Sequence, residues 1–429
     1  MNFIRVAICF LIVSVQCTAQ TWSNVGGGMY GGYVNAMYAN DSMLYAGGTF
    51  IGPGSHIAQW NGTNWSSLSS GINGDVYSLC VYKKNLYAGG YFSEAGGISA
   101  SSFAEWNGSN WIPWGKFNPV TALDTANNYL YSSSYSDIWR FNGSNGFPLS
   151  GFISMQINKF ILYRNKLYAA GYGYKRIGGV SYGGTYEGLL YKIKLSGTSF
   201  TPVLVGAFYS SAGMPDLYSL AVHDSNLYIG GTFDTVNGHV IHNIVVYNGS
   251  GFSSVGGNIN GTVNALAEYN GKLYAGGYFD SAGTIHVDNI ACWNDTSWSS
   301  LGKGVNNEVF CMVPFNGELY VGGGFTSPGN YIAKYNSNSV AEVKNFEAVT
   351  IYPNPNNGVF KIGVPKTMNN SRIVIYNILG QEISRFNLNN TIDEVNIEGS
   401  SAGIYVYKIE TPGGEKQATG RFIIYSTPH

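Results

Sequence analysis

Leu273-Tyr274-Ala275-Gly276-Gly277-Tyr278-Phe279 is the stretch whose reading decides the fold. Near-copies run from Leu44 to Phe50, Leu86 to Phe92, Leu227 to Phe233 and Leu319 to Phe325, and weaker ones begin at Leu130 and Leu167. Self-similarity carried through seven copies marks an array of one supersecondary unit, since each unit must bury its apolar face against a neighbour. No helical pattern follows any of the Gly-Gly pairs. They read as turn glycines that end a strand, not as a phosphate-binding loop.

The sixth copy shows the whole unit. Val263 to Tyr269 alternates apolar and polar residues, and Asn270-Gly271 suits a two-residue hairpin in which both turn positions need positive φ. The quoted strand follows, then a Gly-rich loop, a third strand from Asn289 to Trp293, a turn at Asn294 to Ser297, and a fourth strand from Trp298 to Gly302. Four strands in about 40–50 residues is the signature of a β-propeller blade. The last unit stops after its third strand, Tyr331 to Tyr335, while Thr21-Trp22-Ser23-Asn24-Val25-Gly26-Gly27 is an orphan copy of the missing fourth. The expected fold is all-β: a seven-bladed β-propeller over residues 20–340, closed by its N-terminal strand so that no edge stays open.

At these residues the chain resembles the kelch-type propellers. That family shows a strand ending in Gly-Gly and spaced aromatics after it, as in Gly47-Gly48, Trp60 and Trp65, in Gly89-Gly90, Trp106 and Trp111, and in Gly276-Gly277, Trp293 and Trp298. The resemblance implies a fold more than an activity, since one fold hosts many functions.

Composition agrees with short strands and tight turns. Charged residues are 11%, against about 25% in ordinary soluble domains, and there are 58 Gly and 33 Tyr. A net charge of −1 gives no electrostatic reason to expect nucleic acid as a partner. Residues 1–19 read as a signal peptide, with Arg5 ahead of the apolar run Val6 to Val15 and small residues before a cut after Ala19. No later stretch has the roughly 20 apolar residues of a membrane span. Cys80, Cys292 and Cys311 remain after that cut, which permits at most one disulfide and forms no metal-binding spacing.

After a linker at 341–346 the Gly-Gly repeat vanishes. Residues 347–429 read as about seven short strands, which favours a small immunoglobulin-like β-sandwich. This segment resembles the type A C-terminal sorting domain of the type IX secretion system of Bacteroidota. The matching residues are Tyr352-Pro353-Asn354-Pro355 with Gly358, then Ile375 to Gln381 with Gly380, then Gly403-Ile404-Tyr405, and Gly420-Arg421-Phe422. The resemblance implies export through the periplasm, passage across the outer membrane by the secretion machinery, and removal of the domain by a sorting protease near Ser337 to Phe346. The cargo then stays on the surface or is secreted.

No nucleophile elbow, zinc-binding helix or phosphate loop is present, so no catalytic residue, metal site or cofactor is assigned. Asp234 and Asp280 occupy equivalent places after Gly-Gly-x-Phe in adjacent units, with His239, His242, His286 and Asp288 further along those loops and His56 in the loop of the first unit. Such a group on one rim suits a polar ligand, although loop Asp and His also cap turns. Recurrent Trp and Tyr are expected between blades. Tyr172, Tyr174, Tyr186 and Tyr209, with Tyr30, Tyr33 and Tyr182, break the repeat and are the candidate ligand contacts. The loops of the fourth unit, around Tyr172 to Gly188 and Phe208 to Pro215, are long and expected on one face. The leading expectation is a non-catalytic exported module binding a glycan or protein at the cell surface; the rivals are a secreted polysaccharide-active hydrolase or lyase, and a passive surface component.

Overall fold

Alternating residues of the repeat pair into antiparallel ladders, and every regular element among the described residues is a β-strand. The structure, a computed structural model, describes residues 21–336 other than 116, 118, 135, 136, 152, 175, 178, 179 and 182–185, and residues 349–424 other than 353, 355, 365–369, 379, 398 and 411–416. The expected leader, linker and protease site, with Tyr182, Pro353 and Pro355, lie outside the described residues. The chain divides into two compact units, Met1–Ser339 and Val340–His429.

Among the described residues the first unit holds seven sheets of four or more strands, besides small two-stranded hairpins, and in six of the seven the first four strands run in sequence order. Val34–Ala39, Leu44–Gly48, Ile57–Trp60 and Trp65–Ser67 form the first, and Thr262–Tyr269, Lys272–Tyr278, Ile290–Trp293 and Trp298–Ser300 the sixth. In the seventh, Val309–Phe315, Glu318–Gly323 and Ile332–Asn336 take Thr21–Asn24 as their fourth strand, with Trp22 opposite Tyr335. The fourth-strand tryptophans show that this strand is a true counterpart. Trp65 Nε1 donates to Val25 O (2.9 Å), Trp111 to Leu68 O (3.0 Å) and Trp298 to Val255 O (3.2 Å); Trp22 donates to Leu301 O (2.7 Å) in the same way.

Both glycines of the Gly-Gly pair are demanded by close approach. A Cβ on the first would lie about 2.4–2.6 Å from a valine of the next sheet: Gly47 against Val76, Gly89 against Val120, Gly230 against Val263, Gly276 against Val309, and Gly322 against Val34. A Cβ on the second would strike a carbonyl of its own sheet, as Gly277 would meet Thr262 O at 1.9 Å. A bulge follows close behind that carbonyl. In six of the seven sheets the first strand slips register at one place, around Asn35, Tyr77, Asn158, Tyr218, Asn264 and Phe310.

Hydrogen bonds from this level join each sheet to the next. Asn35 Nδ2 reaches Val76 O (3.4 Å), Leu123 N–H reaches Ser78 Oγ (2.9 Å), Thr121 Oγ1 reaches Ile157 O (2.6 Å) and Asn158 Nδ2 reaches Leu217 O (3.2 Å). Ser219 Oγ then meets Val263 O (3.5 Å), Asn264 Nδ2 meets Val309 O (3.1 Å), and Cys311 Sγ meets Val34 O (3.7 Å). The last contact joins the seventh sheet to the first. Cys80, Cys292 and Cys311 are free thiols.

Two details differ from the sequence reading. The loops after the second strands carry small hairpins, such as Thr235–Val236 with His239–Val240 and Ser281–Ala282 with Ile285–His286. The fourth sheet also replaces loop by strand: Glu187–Ser196 and Ser199–Tyr209 pair along their length, so Phe208 and Tyr209 are strand residues. The apolar alternation through Leu189, Tyr191 and Ile193 extends the buried face and carries the ladder outward.

In the second unit, Thr350–Tyr352, Val359–Gly363 and Ile392–Asn396 form one sheet, and Ser371–Asn377, Glu382–Leu388, Gly403–Glu410 and Gln417–Ile424 another. Phe360, Ile362, Ile373, Tyr405 and Phe422 share one core. Much of the sorting motif is structural. Asn354 Oδ1 accepts Ile423 N–H (2.9 Å), Gly358 (φ 100°) donates to Asn356 Oδ1 (2.8 Å), and Gly380 (φ 77°) turns the chain beside Asn377. Tyr405 Oη donates to Ser401 O (2.7 Å), and a Cβ on Gly420 would enter the Tyr407 ring. Gly403 opens the strand that carries Tyr405. Tyr352 instead stands exposed.

Candidate functional site

The loop histidines and aspartates do not gather into one cleft. In the fifth sheet Asp234 accepts the N–H and hydroxyl of Ser211 and lies 3.7 Å from His242 Nδ1. The Ser211 hydrogen bonds, and after them the imidazole, hold its carboxyl below the usual range. His239 sits exposed on the second strand of the small hairpin. In the sixth sheet Asp280 Oδ1 accepts Asn260 Nδ2 (2.6 Å), while His286 lies 3.6 Å from Asp288. Among the described residues no hydrogen bond or ion pair links the two sets, and no three His, Cys, Asp or Glu side chains are placed to share a metal ion.

His56 is a latch. Its left-handed backbone (φ 60°) puts its ring Nδ1 2.9 Å from Ile72 O. Asn243 and Asn289, both at φ 61°, make the same contact to Ile259 O and Val305 O at 2.9 Å.

Three of the candidate tyrosines converge, while Tyr33 packs against Phe310 and Tyr331. The Tyr174 ring is 4.4 Å from that of Tyr186, which lies 6.1 Å from Tyr172. Tyr172 Oη donates to Gln156 Oε1 (3.2 Å). Its phenol is raised by burial first and then by the Asp216 charge. Tyr209 is separate, raised by burial and by its hydrogen bond with Glu187.

Asp216 is the residue the sequence did not flag. It is buried just ahead of the bulge, accepts Asn158 Nδ2 (2.7 Å), and burial pushes its carboxyl up to about 7. Glu308 takes the equivalent place in the seventh sheet and accepts Asn264 Nδ2 (2.8 Å). Tyr218 feels both carboxylates and Tyr172; burial and Asp216 raise it to about 12. Beneath them the bulge residues of six sheets line a cavity of about 150 Å³. Lys159 is the cation in that lining, at a position where the other sheets carry Ala36, Ser78, Ala122, Ser219, Ala265 and Cys311. Burial raises the Asp124 carboxyl, and Lys159 draws it back. This surface can stack aromatic rings on a ligand, accept its hydroxyl or amine protons, and exchange a proton near neutrality.

The fold and site thus define an all-β repeat protein with a polar, aromatic-rimmed face. Residues 350–425 match the family described as a secretion system C-terminal sorting domain. That segment is a sorting domain; it implies handling by type IX secretion machinery and export to the cell surface or secretion. No curated protein matches the chain. Among solved structures it is similar to the extracellular domain of a proposed hybrid two-component system from B. thetaiotaomicron, at 14% identity and a TM-score of 0.51, covering 91% of this chain and 51% of that one. It is also similar to PorZ, a surface component of the type-IX secretion system of Porphyromonas gingivalis, at 14% identity and a TM-score of 0.46, covering 93% and 60%. The chain spans about half to three-fifths of the length of these structures. Among the described residues no helix is long and apolar enough to cross a membrane.

Proposed function

We propose that residues 20–340 are a seven-bladed, kelch-like β-propeller that binds a glycan or protein ligand at the cell surface without catalysis. In this reading residues 1–19 direct the first export step, 341–346 link the propeller to the sorting domain at 347–429, and that domain directs the second step. The ring is supported by seven hydrogen-bonded junctions between consecutive sheets, the seventh returning to the first. One observation carries the binding role: Tyr172, Tyr174 and Tyr186 gather into one ring cluster, and Gln156, which holds Tyr172, lies two residues from Asn158, which holds the buried carboxyl of Asp216. Tyr rings give large rigid contact at low entropic cost, and buried carboxylates orient a polar ligand.

The mature full chain is to be tested on glycan arrays and surface-protein extracts, with turnover assays on the same polysaccharides. Binding lost in Tyr172→Ala with Tyr186→Ala, and no turnover, is the expected result. A second reading, a polysaccharide-active hydrolase or lyase, is favoured by the Asp216 carboxyl at about 7, a value suited to a general acid. Turnover abolished in Asp216→Asn would sink the binding-only reading. For the address, a chain ending at Val340 should accumulate in the periplasm, and its normal surface display would refute the export route.

A further inference from the structure

Two grooves on the first unit are built from the same positions of the repeat. One, of about 650 Å³, lies beside the second sheet and is lined by Asn73, Asp75, Tyr91, Ser93 and Ser101. The other, of about 400 Å³, lies beside the sixth and is lined by Asn260, Tyr278, Asp280, Asp288 and Asn306. Asn73 Oδ1 accepts the N–H groups of Ser93 (3.0 Å) and Glu94 (2.8 Å), as Asn260 Oδ1 accepts those of Asp280 (3.2 Å) and Ser281 (3.0 Å). Gly74 and Gly261 form matching walls. A Cβ there would lie 2.4 Å from Tyr91 O and 2.2 Å from Tyr278 O, so no side chain can fill either groove from that side.

Each groove holds a tyrosine that the fold does not need. Tyr91 and Tyr278 end their second strands with 61% and 63% of their surface exposed. The same position is Thr49 in the first sheet, Thr232 in the fifth, Gly324 in the seventh and Tyr172 in the fourth, where it packs in the tyrosine cluster instead of lining a groove. An amphipathic ring held out over amides, hydroxyls and carboxylates is suited to a ligand with one apolar face and many hydroxyl groups. The described lining carries Asp75, Asp280 and Asp288 and no cation, so an acidic sugar would meet like charge with no counter-ion.

We propose that the two grooves are equivalent sites for neutral saccharides. Tyr91 and Tyr278 stack on the C–H face of a sugar ring, and the Ser and Asp side chains, two of them positioned by Asn73 and Asn260, bind its hydroxyls. This rests on the glycan form of the binding reading and adds its valence. A chain with two sites grips a repetitive polysaccharide with an avidity that can exceed either site alone by about 10²–10⁴.

The mature full chain is placed on an array of neutral and uronic-acid oligosaccharides, and the brightest neutral oligosaccharide is titrated calorimetrically. Threonine is the replacement of choice, because the fold already accepts it at this position, and unchanged melting of Tyr91→Thr and Tyr278→Thr serves as the control. Two oligosaccharides per chain are expected, one for each single variant, and none for the double variant. Retention on the corresponding polysaccharide should fall at least tenfold in either single variant. A single site, a preference for uronic acids, or no glycan bound at all overturns the proposal. Glycan binding that survives in the double variant but is lost in Tyr172→Ala also overturns it, and leaves the surface-binding reading standing.

Discussion

The sixth and fourth sheets are variants of one unit with different residues at the decisive places. In the sixth, nearly every distinctive residue joins sheets: Gly276 admits Val309, Asn289 holds Val305 O, and Trp298 holds Val255 O. In the fourth, the third and fourth strands lengthen to 10 and 11 residues, a tyrosine cluster caps their edge, and Lys159 stands where the other sheets have a small residue. Repetition therefore marks side chains already committed to assembly. Candidates for chemistry sit where the unit departs from itself, or where it leaves a position free.

The sharpest way to break this comparison is at a glycine of the regular sheet. Gly277→Ala drives a Cβ to 1.9 Å from Thr262 O, a backbone atom that cannot swing away. A loss of more than about 4 kcal/mol is expected in chemical denaturation. Gly213→Ala, where no atom lies within 4 Å, should change stability by less than about 0.5 kcal/mol. Equal effects would mean that the Gly-Gly pair is not a packing device.

Next in size is Trp22→Ala. It removes the bond to Leu301 O and the ring 5.0 Å from Tyr335, and it loosens the strand that completes the seventh sheet. About 2–3 kcal/mol should be lost. A neutral result would make the N-terminal strand an accessory and not a counterpart of Trp65 and Trp298.

Asp216 brings a pH dependence to the fifth sheet. Its folded pKa is raised, to about 7, so the favourable state is the protonated one. Its contribution is fully present below the ordinary carboxyl range near pH 4 and is lost as pH rises through about 7. Asp216→Asn keeps an acceptor for Asn158 and should therefore leave stability unchanged at pH 4 and raise it at pH 8. Thermal melts across that window check the sign. A variant less stable at pH 8 would show that Asp216 is ionised and well paired.

The strands, turns and unpaired last unit were legible because each follows from local residue types: alternation, Asn-Gly, and a stray Trp-x-x-x at the chain start. The bulge was also written in the sequence, as Val34-Asn35-Ala36-Met37, Val76-Tyr77-Ser78-Leu79 and Val263-Asn264-Ala265-Leu266 share an apolar-x-small-apolar pattern. It escaped notice because a bulge hides inside an alternating strand. Asp216 left no such mark. Its counterparts are Tyr33, Asp75, Thr262 and Glu308, and its burial depends on neighbours 58 residues away in sequence, where Asn158 sits. The Asp and His residues were conspicuous for a different reason, being rare in a chain that is only 11% charged.

His56 gives the finest test of that distinction, because it looks like a ligand group and sits like a latch. Its left-handed backbone favours Asn over most side chains, and Asn243 and Asn289 already supply the same hydrogen bond from the same conformation. His56→Asn should match the parent within about 0.5 kcal/mol and leave ligand binding unchanged. His56→Ala combines a left-handed penalty with an unpaired Ile72 carbonyl, and should cost about 1–2 kcal/mol. If the asparagine variant instead kept full stability and lost binding, the first sheet would hold a functional histidine inside a structural position, and repetition would no longer separate the two roles.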